Sequence, residues 1–252
     1  MLTKHLFYQI CPLDLSDQWR FNIECLLPFL SVFNGRILLT IKTGDLMAPV
    51  EEVQAYFKHL DRVEYLLIPN DAALGEAVSF MEGLSNFQSE NPNEWTFYAH
   101  TKGVSPKYLP EDFVSINHWV RRLYQKNLMS MDVMDRYAER YSFFGSFKRY
   151  GMFDNVPVNW HYSGSFYWFR HDVCFGALAS IDCPDNYYLS EMLPGLVVPE
   201  SEAYCFFDDG AQDVYRYGEH DWSQLEYPSA WFLWKRKLMI QRDKMRRLWA
   251  KY

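Results

Sequence analysis

The most distinctive polar group in the sequence stands where the fourth apolar run, Trp95–Ala99, ends: His100-Thr101-Lys102-Gly103. On a strand, residues two apart point the same way, so His100 and Lys102 would face one site together. Lysine supplies a compact charge with three donors, and Gly103 permits a sharp turn. The pattern predicts that these four residues bind a diphosphate. The alternative is a surface turn with an incidental Lys and His.

A second group lies in the aromatic run 160–170 (WHYSGSFYWFR). Small residues within such a run indicate a strand against which something packs closely, either a ligand or another strand. Phe166 and Trp168 are expected in the core. His161, Ser163, Gly164 and Ser165 are candidates for contact with a ligand.

Carboxylates make up the third group. Glu191 stands among aromatic and apolar residues, and burial in a cleft would raise its pKa toward the working pH of a general base. The alternatives are a solvated position at a helix start, or Glu202 in the same role. Asp208-Asp209-Gly210 is an ordinary turn signature. With His220, the two aspartates would be the ligands if a divalent metal is required.

These groups need elements to position them, and the first half of the chain alternates apolar runs of strand and helix type. Strands are predicted at His5–Ile10, Arg36–Ile41, Val63–Ile68 and Trp95–Ala99. A helix capped by Ser16 is expected to run toward Asn34-Gly35, with Pro28 kinking it or ending it early. Further helices follow around Val50–Leu60 and from Asn70 or Asp71. This alternation predicts a mainly parallel sheet with helices on both faces, whose ligands bind beyond the carboxyl ends of the strands.

The second half predicts one long amphipathic helix over Ile116–Tyr141, then strands at Ser142–Phe147 and Tyr162–Arg170, and a loop-rich stretch over 182–217. The sequence contains no repeat and no linker. We therefore expect a single α/β domain over 1–227, with one half at 1–110 and the other at 111–227.

Composition excludes several classes of protein. The five cysteines have no CxxC spacing, which argues against a disulfide framework or a structural zinc site. No signal peptide and no apolar stretch of about 18 residues is present, so the expected compartment is the cytoplasm. The net charge of −7 argues against nucleic acid as a partner.

Residues 228–252 differ from the rest, because they carry eight Lys or Arg and a single Asp, interleaved with tryptophans. A basic amphipathic helix of this kind is typical of segments that lie on anionic membranes. Docking on the acidic body of the same chain is the alternative.

Taken together, the motifs resemble those of GT-A-fold glycosyltransferases, in particular the rhamnan-synthesis-type polysaccharide enzymes. In that fold a strand–helix half binds the nucleotide, and the fourth strand commonly ends in an Asp-x-Asp that holds a metal. Here His100-Thr101-Lys102 is similar to an H-x-K variant. Gly164–Arg170, a following helix and Glu191 match the order of the acceptor half.

The resemblance implies a transferase that moves a sugar from a nucleotide-sugar donor to a hydroxyl of a glycan or lipid-linked acceptor. The donor would meet His100, Thr101, Lys102 and Gly103, and the acceptor would meet the 161–165 segment. Because Asp-x-Asp is missing, Lys102 helped by His100 would stabilise the leaving diphosphate without a metal cofactor. Manganese or magnesium is the alternative. With Glu191 as base, the anomeric configuration would invert.

One other function stays open, and a further one is disfavoured by the sequence. A non-catalytic glycan- or nucleotide-binding protein on the same scaffold would use the aromatic run equally well. A nucleotidyltransferase would need a glycine-rich phosphate loop after the first strand, and Cys11-Pro12-Leu13-Asp14 is not one.

Overall fold

The computed structural model describes residues 1–71, 73–105, 107–108, 112–150, 158–181 and 186–208. Nine strands lie in these ranges: β1 (Thr3–Ile10), β2 (Ile37–Thr43), β3 (Val63–Pro69), β4 (Glu94–His100), β5 (Phe143–Ser146), β6 (Lys148–Tyr150), β7 (Trp160–Tyr162), β8 (Tyr167–Arg170) and β9 (Ala203–Phe207). Seven of them form one sheet in the order β3-β2-β1-β4-β8-β5-β9, while β6 and β7 form a separate antiparallel pair.

The seven-stranded sheet is mainly parallel. β1 pairs in parallel with both β2 and β4, β2 pairs in parallel with β3, and β5 pairs in parallel with β9. Of these seven strands, β8 alone runs the other way, between β4 and β5. The order 3-2-1-4 is that of a Rossmann-like half, with its ligand edge at the carboxyl ends of these strands. The predicted fold class, an α/β domain with a mainly parallel central sheet and helices on both faces, is confirmed.

Seven α-helices within the described ranges cover the two faces of the sheet: α1 (Gln18–Leu26), α2 (Val50–Phe57), α3 (Ala77–Ser85), α4 (Asp112–Leu128), α5 (Met131–Tyr137), α6 (His171–Leu178) and α7 (Leu189–Val197). Buried residues of α1, α2, α4 and α5 pack on one face, where Leu6 and Tyr8 of β1 point. Those of α3, α6 and α7 pack on the other face, with Phe7. The period of two along β1 thus supplies both layers of the core.

Two predicted helices have different bounds. α1 ends at Leu26, and a 3-10 helix with Pro28 at its start continues to Val32, as the proline predicted. The single helix expected over Ile116–Tyr141 was wrong, because α4 ends at Leu128 and α5 begins after Ser130. Serine favours helix ends over helix interiors, since its hydroxyl competes for backbone groups.

The predicted strand Tyr162–Arg170 was also wrong as one element. Gly164 has φ +93° and Ser165 has φ +59°, which are left-handed values that no strand contains. A turn therefore separates β7, which pairs with β6, from β8 in the main sheet. The helix expected from Asn70 or Asp71 begins at Ala77 instead. The Asp71 carboxylate accepts the N–H groups of Ala73 and Leu74 in the preceding turn.

Some predictions fall outside the described residues. The basic segment 228–252 is one, and Asp209 and His220 are others. Across the ranges given above, no helix has both the length and the apolar character needed to cross a membrane. The division into halves at residue 110 stays a prediction.

Candidate functional site

A cleft of about 380 Å³ opens at the carboxyl ends of the parallel strands, where ligands bind in sheets of this kind. Charged side chains from three different elements line it: Lys42 at the end of β2, Glu76 just before α3, and His100 and Lys102 at and beyond the end of β4. Tyr187 forms part of its rim. The predicted cationic pair therefore faces one cavity, although β4 ends at His100 and Lys102 lies in the following loop.

The backbone of Lys102 is held in place by a side chain of α1. Asn22 of α1, which is fully buried, accepts the Lys102 N–H at 2.9 Å and donates its amide to the Lys102 carbonyl at 2.9 Å. The Lys102 ammonium lies 5.0 Å from the centroid of the Trp119 ring, a cation–π contact. The position of this charge is thus set by two helices, α1 and α4.

The residues on either side of Lys102 shape the loop. Thr101 is buried, and its hydroxyl accepts the Cys11 N–H at 2.9 Å, which ties the end of β4 to the end of β1. Gly103 has φ +79°, and a Cβ there would lie 2.5 Å from Ile116. Only glycine fits this turn. Thr101 and Gly103 therefore fix the shape of the loop, Thr101 through a buried hydrogen bond and Gly103 through its close packing against Ile116.

His100 has a carboxylate partner that the sequence did not indicate. Its Nδ1 lies 2.6 Å from Oε2 of Glu76, and its Nε2 lies 3.0 Å from the carbonyl oxygen of Gly164. Glu76 also accepts hydrogen bonds from the hydroxyls of Ser190 and Ser165, the latter at 3.5 Å. Burial by itself would raise the pKa of Glu76. The charge and hydrogen bond of His100, with Lys102 and Ser190, outweigh it and lower the pKa to about 2.

Glu191, the predicted base, lies in the first turn of α7 behind this group. Its Oε1 accepts the N–H of Gly164 at 2.8 Å, and its side chain is 15% exposed. Burial raises the pKa of Glu191 above its usual range, while the charge of Lys102 and the Gly164 hydrogen bond act in the opposite direction. Two neighbouring glutamates therefore differ in proton affinity: Glu76 stays ionised, and Glu191 has the pKa shift that suits a base.

The 161–165 segment reaches the same region as a turn. His161 Nε2 lies 3.9 Å from Glu191 Oε1, whereas Ser165 is buried between Glu76 and Ser190. Burial, with a smaller contribution from the charge of Arg149, lowers the pKa of His161 to about 3, so its imidazole is neutral. Ser163 donates its N–H to the Phe147 carbonyl. As predicted, Phe166 and Trp168 are in the core.

The described residues of both candidate metal centres lie outside the lining of the cleft. Asp208 follows β9 and lies 4.0 Å from Arg149, and its predicted co-ligands are outside the described residues. Among the residues described, one group has its potential ligand atoms within 4.8 Å of one another, namely His5, Glu94 and His171 at the opposite edge of the sheet. His5 Nδ1 accepts the Arg36 N–H at 2.8 Å, so its hydrogen is on Nε2 and no lone pair is left for a metal. This group does not fit an ion.

Four residues of the site were not predicted from the sequence, namely Asn22, Lys42, Glu76 and Tyr187. Lys42 is buried in the apolar run of β2 and donates to the Gly75 carbonyl. A lysine inside an otherwise apolar strand is the signal that could have identified it, because charge is buried only with a partner. No such signal exists for Asn22, Glu76 and Tyr187, because their local sequence patterns are equally typical of exposed residues.

No protein-family model matches the chain, and no curated protein matches it. Among solved structures, the chain is similar to 4-diphosphocytidyl-2C-methyl-D-erythritol synthase, with 12% identity, 90% of this chain and 96% of that chain covered, and a TM-score of 0.39. It is also similar to glucosyl-3-phosphoglycerate synthase from Mycobacterium tuberculosis in complex with UDP, with 10% identity, 93% and 80% covered, and a TM-score of 0.42. What the site does has to be inferred from its own residues.

Proposed function

We propose that the chain is a glycosyltransferase that moves a sugar from a nucleotide-sugar donor to a hydroxyl of a glycan or lipid-linked acceptor, with inversion at the anomeric carbon. One observation carries the proposal. A held ammonium, Lys102, follows His100 at the carboxyl edge of the parallel strands, and a largely buried carboxylate of raised pKa, Glu191, is joined to His100 through the peptide groups of Gly164. Transfer of a sugar from a diphosphate to a hydroxyl needs a positive charge that stabilises the leaving group and a base that takes the proton of the hydroxyl.

The donor lies in the cleft with its diphosphate against the loop after β4. Lys102 neutralises the charge that grows on the phosphate oxygen as the bond to the sugar breaks. Because Asn22 fixes the Lys102 peptide group before any ligand arrives, little reorganisation is needed. Lys42 also lines the cleft and supplies a second cation for the nucleotide.

The acceptor approaches from the side of α7. Tyr187 and Tyr188, just before this helix, are 45% and 44% exposed, and such aromatic faces suit sugar rings. His161 and Ser163 complete this side, while Gly164 and Ser165 shape the turn beneath it. The acceptor oxygen attacks the anomeric carbon, its proton passes to Glu191, and the electron pair of the broken bond goes to the diphosphate.

A divalent ion does not fit the end of β4. Both ring nitrogens of His100 face acceptors, the adjacent charge is an ammonium, and the nearby carboxylate of Glu76 is already bonded to His100 and Ser190. We therefore propose that this chain stabilises the leaving group with Lys102 and needs no metal at this position.

The test is a thermal-shift screen of nucleotides and nucleotide sugars, each with EDTA and with manganese. A ligand at 100 times its dissociation constant stabilises the fold by roughly 2.7 kcal/mol. We expect a shift that survives EDTA and is lost in Lys102→Met, which keeps the apolar stem over Trp119. Lys58→Met, an exposed position after α2, is the matched control and keeps the shift.

A shift that requires manganese would contradict the metal-free mechanism and direct attention to Asp208, Asp209 and His220. No shift with any nucleotide would overturn the transferase and favour a non-catalytic glycan-binding protein. Once the donor is known, NMR of the product reports the anomeric configuration, and a retained configuration would exclude Glu191 as the base of a single displacement.

A further inference from the structure

The two ring nitrogens of His100 each face a hydrogen-bond acceptor. Nδ1 faces the Glu76 carboxylate at 2.6 Å, and Nε2 faces the Gly164 carbonyl at 3.0 Å. A carboxylate and a carbonyl only accept, so both nitrogens must carry hydrogen for the two bonds to exist. A neutral imidazole has one N–H and would leave one of these acceptors opposite a lone pair.

The Gly164 peptide group continues the connection. Its carbonyl accepts from His100, and its N–H is donated to Glu191 Oε1 at 2.8 Å. Ser190, the neighbour of Glu191, donates its hydroxyl back to Glu76. These contacts close a ring that runs Glu76, His100, Gly164, Glu191, Ser190 and back to Glu76.

The ring joins parts of the chain that lie far apart in sequence: the residue before α3, the end of β4, the 163–166 turn and the start of α7. The backbone is strained next to this ring of contacts, since Ser165, which follows Gly164, has φ +59°. Left-handed values at a non-glycine residue persist where surrounding contacts fix them, and such residues cluster at functional sites. The Ser165 hydroxyl lies between Glu76 and Ser190, at 3.5 and 3.3 Å.

We propose that Glu76 is a positioning residue, which holds His100 as a doubly protonated imidazolium and, through Gly164, fixes the carboxylate of Glu191. His100 is then an internal cation with no hydrogen left for a ligand, and Lys102 meets the diphosphate. Glu76 contacts the imidazole of His100 directly, Glu191 interacts with it electrostatically, and both carboxylates also interact with Lys102. The role of this ring of contacts in catalysis rests on the proposed function, whereas the protonation state of His100 does not.

The experiment is ¹⁵N-edited NMR of the histidine side chains of the full chain at neutral pH, without any ligand. We expect both ring nitrogens of His100 to carry hydrogen in the wild-type protein. In Glu76→Gln, which keeps the shape of the side chain, we expect one ring hydrogen to be lost and the Gly164 amide resonance to shift. Glu82→Gln, an exposed carboxylate on α3, is the matched control and leaves both signals unchanged.

A wild-type His100 with one ring hydrogen would overturn the proposal, and this measurement needs no variant to fold. A Glu76→Gln protein with native amide signals elsewhere and an unchanged His100 would overturn it as well. The nucleotide screen is independent. If His100 is an imidazolium but the protein binds no nucleotide, the positioning role of Glu76 is kept and the transferase function is excluded.

Discussion

Asn22 holds the peptide group of Lys102 from both sides, with its amide oxygen on the N–H and its amide nitrogen on the carbonyl, each at 2.9 Å. The two residues are 80 positions apart in the chain. A single buried side chain on α1 therefore fixes the backbone of the loop that carries this cation.

Asn22→Ala leaves two backbone groups of Lys102 without their partner in a buried site. We expect unfolding in urea to show a loss of about 1–3 kcal/mol in the free energy of unfolding. The thermal shift with a nucleotide should also shrink, since the ammonium is no longer held. Asn34→Ala is the control. Asn34 makes the same kind of two-sided contact with Leu2 and Lys4, away from the cleft, so its loss should leave the ligand shift intact.

Glu191→Gln removes the proposed base and keeps the hydrogen bond to Gly164. We expect donor affinity to be kept and turnover to fall by about 100-fold or more, since general base catalysis contributes about 10² to 10⁴. Kinetics with a saturating donor, beside a direct binding measurement, separate the two effects. Glu202→Gln, an exposed carboxylate, should behave as wild type. Equal losses in both variants would assign no special role to Glu191.

Gly75→Ala tests the rim of the cleft. A Cβ at this position would lie 2.3 Å from the ring of Tyr187, and Gly75 has φ +54°. We expect a loss of about 1 kcal/mol or more in stability and a displaced tyrosine ring, visible as a change in Tyr187 side-chain NMR signals. Gly176→Ala in α6 meets nothing within 4 Å and should be neutral or slightly stabilising.

His161 makes stability depend on pH. Its pKa is about 3 in the folded protein against 6.5 for an unperturbed histidine, so the unfolded chain binds the proton first as pH falls. The stability that the neutral ring contributes is complete above pH 6.5 and is lost as pH falls toward 3. Between about pH 7 and pH 5 the loss is about 2 kcal/mol. His161→Gln should flatten the curve of unfolding free energy against pH over this range, and an unchanged slope would contradict the assignment.

The basic segment 228–252 predicts binding to anionic membranes. We expect the intact chain to sediment with liposomes that contain phosphatidylserine and to lose this on removal of the segment. Liposomes of neutral lipid are the control. If the intact chain fails to sediment with the anionic liposomes, the membrane role is excluded and docking on the protein body is favoured.

The α/β architecture and the place of the cationic group could both be predicted from the amino-acid sequence alone. Both depend on local properties: apolar runs of strand length alternate with helical periodicity, and His100 and Lys102 directly follow one such run. The rule that parallel strands present their carboxyl ends at one edge then places the group at a ligand site.

The partners of these residues become known only from the folded chain. Glu76 meets His100, Asn22 meets Lys102, and Gly164 meets Glu191 across separations of 24, 80 and 27 positions. No local pattern distinguishes a glutamate that will bond a histidine from one that will face water. The difference depends on which chain segments the packed helices bring together, and on the burial that makes each charge depend on its partner.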